Sequence, residues 1–184
     1  MCRWILKILF MFSVASVVLS CDDEYQDTKD AGEAYMKSVS GKGIVTLNTG
    51  LKYRKYFKED PSWPSVPEKP SLVYMNYTVL FINGDTLASD STRLRTYKVV
   101  DKITEAGDTT YRDSSALVTP VFSYTNMLEG CRQAIRRMKY GSKWRIWIPY
   151  YLGYGSEGVD AGGIKVDPYT TLIYDIELVK TSAN

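Results

Sequence analysis

The chain offers an unusual set of reactive side chains: 15 tyrosines, three cysteines and no histidine in 184 residues. Without imidazole there is no Ser-His-Asp relay, no Cys-His pair and no histidine for a zinc site. No GxGxxG or Walker-type phosphate loop is present either. What remains favours a mechanism in which no group titrates near neutral pH. The cysteines add little. Cys2 and Cys21 fall in or beside the leader, which leaves Cys131 alone and no internal disulfide after export. Such a fold stands on its hydrophobic core, and about 160 residues suffice for one domain with a tail.

The N-terminus reads as a targeting segment. Arg3 and Lys7 precede an apolar run from Ile8 to Leu19, which is short for a permanent span. Val18-Leu19-Ser20-Cys21 resembles a bacterial lipoprotein cleavage box. Residues 1–20 are thus expected to be a signal peptide and Cys21 the lipidated residue; the alternative is a simple signal cut elsewhere. The first 20 residues hold two of the 23 basic residues and no acids, so the remainder balances at 21 of each. That balance gives no sign of nucleic-acid binding.

Residues 21–42 read as an acidic tether with a short helix over 30–39. The acids at 22–24 fit a surface-export signal, a solvated linker or, through the aspartate just after Cys21, inner-membrane retention. The domain follows over 43–182. Ile44 to Lys58 suggests two short strands around Asn48-Thr49-Gly50, and four prolines from Pro61 to Pro70 mark a loop. Leu72 to Ile82 is a strand with Val73, Met75, Tyr77, Val79 and Phe81 on one face. Asn83-Gly84 signals a hairpin turn, with 85–92 returning. Residues 93–119 read as an inserted hairpin, with a disordered loop as the alternative. Met127 to Lys139 carries apolar residues at helical spacing, with Arg132, Arg136, Arg137 and Lys139 largely on the other side. Lys143 to Pro149 and Thr171 to Val179 alternate as strands. The expected fold is α+β, a mainly antiparallel sheet covered by one main helix.

The order GSKWRIWIP, LGYG and TTLIYDIEL after that helix resembles the C-terminal half of FKBP-type peptidyl-prolyl cis-trans isomerases. The resemblance covers about fifty residues specifically, with a patchier match before them. It implies a half-barrel around the helix and an aromatic pocket for a proline ring. It implies no cofactor and no metal. Carried over residue by residue, Tyr77, Tyr154 and Tyr174 are the catalytic candidates. Leu87, Phe122, Met127, Leu128, Cys131 and Val166 would bind substrate. Leu128 would offer its backbone N–H, and Tyr154 its hydroxyl, to substrate carbonyls. Tyr174 stands where the family has phenylalanine.

Two positions depart from the family pattern. Cys131 replaces the pocket-floor tryptophan, and Ala88 replaces an aspartate that Asp90 could supply only if the turn shifts. The X–Pro bond rotates over a barrier of ~18–20 kcal/mol. A dry cradle that fits the twisted amide lowers it by differential binding. A 10⁴-fold gain needs about 5.4 kcal/mol and no nucleophile. The expected protein is therefore a lipid-anchored envelope isomerase, at the outer membrane or surface, acting on proline-containing polypeptides. The alternative is a weak or inactive relative that serves as a protein-binding module.

Overall fold

The computed structural model describes residues 24–66, 70–90, 93–103 and 109–182. The leader and Cys21 lie outside the described residues. The main sheet runs β1(Ile44–Thr46), β2(Lys52–Lys55), β8(Lys143–Ile148), β11(Leu172–Ser182), β3(Leu72–Phe81), β4(Thr86–Asp90) in spatial order, with β7(Val121–Ser123) also paired to β3. All of these pairs are antiparallel.

The central strands show why the sheet is buried on both sides. On β8, Trp144, Ile146 and Ile148 bury one face while Trp147 is buried on the other. On β11, Leu172, Tyr174, Ile176 and Leu178 share the first face and Ile173 takes the second. Tyr174 lies between Ile146 on β8 and Val79 on β3, so side chains from three strands meet at its level.

A helix covers part of each face. Helix α2(Glu129–Ile135) packs Cys131, Ala134 and Ile135 into the main core. The helix was expected over 127–139, and the structure shortens it. Met127 and Leu128 are extended, and the chain leaves the helical path after Ile135. There Arg137 N–H donates to the Ala134 carbonyl, Tyr140 N–H donates to the Pro64 carbonyl, and Lys139 bridges to Ser65. Met138 stays in the core although it is outside the helix.

The short helix expected over 30–39 is longer than that and docks on the sheet. Helix α1(Gln26–Ser38) is the longer of the two and lies over the opposite face, where Met36 packs on Trp147 and Ile173. It starts before residue 30, with Asp27 in the first turn and a Gln26–Asp30 hydrogen bond of 2.8 Å. Its C-terminus is held by Lys52, whose Nζ donates to the carbonyls of Met36 (2.6 Å) and Val39 (2.7 Å). Gly32 allows the close approach, since a Cβ there would stand 2.6 Å from Thr171 Oγ1.

Strands β5(Arg93–Ile103) and β6(Thr109–Val118) form a separate two-stranded sheet, longer than the fragments legible in sequence. A small hairpin, β9(Val159–Ala161) and β10(Ile164–Val166), precedes β11. No helix among the described residues is long and apolar enough to cross a membrane.

Candidate functional site

The inner face of β3 and β4, the segment from Val121 to Leu128, Cys131 of α2, and the loop bearing Tyr154 enclose one cavity of about 420 Å³. That is within the range of a small-molecule site. Tyr77, Tyr154, Tyr174, Leu87, Phe122, Met127, Leu128 and Cys131 all line it. Val166 does not. It is packed into the core at the base of β10, and Ile164 one pleat away takes the wall. Sequence reasoning also missed Val121 and Asn126, which sit on elements too short to show a period. Met75 and Val79 were legible on the face they share with Tyr77.

The two departures fall on this cavity. Ala88 lies opposite Val79 across the β3–β4 pair and lines it. Asp90 lies opposite Tyr77, beyond the lining, so it does not take the place of an acid at position 88. Cys131 is at the base and is 2% exposed. Burial pushes its thiol up to about 12, so it is a neutral surface rather than a nucleophile.

The phenols are held differently. The Tyr77 ring meets Phe122 edge-on, with centroids 5.2 Å apart at 80°. Burial raises Tyr154 and, much more strongly, Tyr174; for Tyr174 the neighbouring Cys131, Tyr154 and Tyr77 add to the effect. Burial followed by the charge of Asp90 raises Tyr77. All three are hydrogen-bond donors at neutral pH.

The rim at 125–128 is clamped. Arg132 donates to Glu129 (2.6 and 3.0 Å) and to the Thr125 carbonyl (2.9 Å). Gln133 donates to Glu129 at 3.0 Å and accepts from Thr49 at 2.7 Å. These bonds hold Met127 and Leu128 extended along the cavity, and among the described residues the Leu128 N–H makes no hydrogen bond. The arrangement can grip an extended backbone from the rim and enclose a ring below it. Nothing in it suggests covalent chemistry, and no cluster of metal-ligating residues occurs among the described residues.

A second hollow of about 390 Å³ opens on the opposite face of the sheet, lined by Tyr56, Lys143, Asp175 and Glu177 among others. Its most buried acid, Asp175, is already engaged. Arg145 donates to Asp175 twice (2.7 and 2.6 Å), and Tyr56 donates to it at 2.7 Å. The aromatic cavity, with unspent donors among mostly apolar walls, is the better candidate.

A half-barrel sheet around a short helix, with a ring-lined hollow between them, is the architecture of a peptidyl-prolyl isomerase of the FKBP class. Residues 64–179 match the family model described as FKBP-type peptidyl-prolyl cis-trans isomerase, and the chain belongs to that family. It is 34% identical over 184 residues to the macrophage infectivity potentiator of Trypanosoma cruzi, covering 95% of this chain and 79% of that protein. It is 27% identical to the outer membrane protein MIP of Legionella longbeachae, covering 84% of this chain. The chain spans only 54% of that relative's length. The fold is also that of a Pseudomonas syringae peptidyl-prolyl isomerase (TM-score 0.61, 20% identity, 88% of this chain and 98% of that one). FkpA from Escherichia coli shares it as well (TM-score 0.60, 23% identity, 86% and 61%).

Proposed function

We propose that the protein is a peptidyl-prolyl cis-trans isomerase that acts on X–Pro bonds by non-covalent binding in the aromatic cavity. The observation that carries this is the convergence of Tyr77, Tyr154, Tyr174, Phe122 and the Leu128 amide on one hollow. In this mechanism the proline ring enters below the rim, and the Leu128 N–H and Tyr154 hydroxyl grip the flanking carbonyls. The walls exclude water, so the twisted amide, less polar than the planar one, is favoured over the ground state. Tyr77, Phe122, Leu87 and Met127 shape the walls. A protease-coupled prolyl-peptide assay tests this: turnover that falls on Tyr154→Phe supports it, and no turnover at high protein concentration sinks it.

A second reading rests on Cys131 and Ala88. The missing indole loosens the fit, and the missing carboxylate removes an electrostatic partner for the twisted carbonyl. On that reading the domain binds proline-containing segments with little catalysis. Peptide binding without turnover would select it.

We further propose that Cys21 carries a lipid and holds residues 21–42 as a tether at the cell envelope, with 93–119 as an insertion in a domain spanning 43–182. The name of the Legionella relative, an outer membrane protein, is in keeping with this. Cys21→Ala is expected to move the protein from the membrane fraction to the soluble fraction; unchanged membrane association would count against it.

A further inference from the structure

The base of the cavity is not purely apolar. Its most buried lining residues are Cys131, Met75, Val79 and Tyr174. Tyr174 is 8% exposed, and its hydroxyl has no hydrogen-bond partner among the described residues. It is not sealed in, because the only sealed side-chain oxygen without a partner among the described residues belongs to Tyr124. The donor therefore opens into the cavity beside the small Cys131 side chain.

A polypeptide gripped at the rim must keep its backbone outside. The ring of a bound proline then points its far edge, Cγ, toward the base. A plain ring covering Tyr174 would leave a desolvated hydroxyl unpaired, and an unmade bond of a buried group is costly. A five-membered ring also falls short of filling about 420 Å³.

We infer that the site prefers a proline whose ring carries a hydrogen-bonding oxygen at Cγ, with Tyr174 as the residue that reads it. Hydroxyproline is the simplest such ring. This rests on the proline-site reading above and adds a substrate class to it. The ring oxygen accepts from the Tyr174 O–H, occupies the space beside Cys131, and leaves the amide free at the rim.

The test uses two peptides that differ only in the Cγ hydroxyl, each Cγ epimer made separately, with binding measured by calorimetry. One epimer is expected to bind about three- to tenfold tighter than the proline peptide, the scale of a single neutral hydrogen bond. Tyr174→Phe is expected to abolish that ratio, while Tyr77→Phe keeps it, with thermal melts confirming that both variants fold. Equal binding of all peptides to wild type, or a preference that survives Tyr174→Phe, overturns the inference but not the proline site. Binding of neither peptide overturns both.

Discussion

A Cβ placed on Gly130 would stand 2.6 Å from Cγ2 of Ile148, so α2 sits on β8 with no room for a side chain between them. This contact fixes the helix and turns the next residue, Cys131, into the cavity. Gly130→Ala is expected to cost about 1–3 kcal/mol through overpacking and to lower peptide binding by shifting Cys131 and Leu128. Chemical denaturation and calorimetry on the same variant measure both effects. A variant as stable as wild type would show that α2 can slide.

Filling the base should restore catalytic fit. Cys131→Trp together with Ala88→Asp puts an indole under the ring and a carboxylate on β4, both into space lining the same cavity. The double variant is expected to gain about tenfold in kcat/KM on an unmodified prolyl peptide, roughly 1.4 kcal/mol of transition-state stabilisation. Activity unchanged or reduced would mean that Cys131 and Ala88 are suited to the site as they stand.

Turnover should be insensitive to pH across the neutral range. The chain has no histidine, and the phenols of Tyr77, Tyr154 and Tyr174 are all raised above their ordinary value of 10.0. They stay protonated from about pH 6 to about pH 9. A kcat/KM profile with an inflection between those values would reveal a titrating group that this site lacks.

Acid should weaken the fold through Asp175. Burial opposes its charge, but hydrogen bonds from Arg145 and Tyr56 outweigh it and hold the carboxyl below its ordinary 3.8. A depressed folded-state pKa stabilises above the unfolded value and loses that contribution as pH falls through the folded one. Wild type should therefore lose melting temperature below about pH 4. Asp175→Asn should be less stable at pH 7 and show a smaller acid-induced drop. An identical pH dependence in the two proteins would remove the pair from the account.

Much of this molecule was legible along the chain. Period-two alternation placed β3, β8 and β11, and Asn83-Gly84 placed the β3–β4 turn, because a strand exposes two faces and a tight hairpin needs positive φ. The lining tyrosines came from the family likeness in their surrounding motifs, since an inward aromatic taken alone reads as core. Helical spacing over 127–139 overshot, because Met138 is buried for reasons of tertiary packing that mimic a continuing helix. Val166 came from the same family likeness, as the match to a loop isoleucine; in the structure Ile164, two residues earlier on β10, lines the cavity instead.

The linear order of residues thus decided the strand periods, the absence of imidazole chemistry and the family. Tertiary structure alone decided that α1 covers the opposite face, that Asp90 is not among the cavity's lining residues, and that Tyr174 and Cys131 line the same cavity. Periodicity is a local property of the backbone. Which side chain ends beside which, and how deep, depends on how strands distant in sequence register against each other.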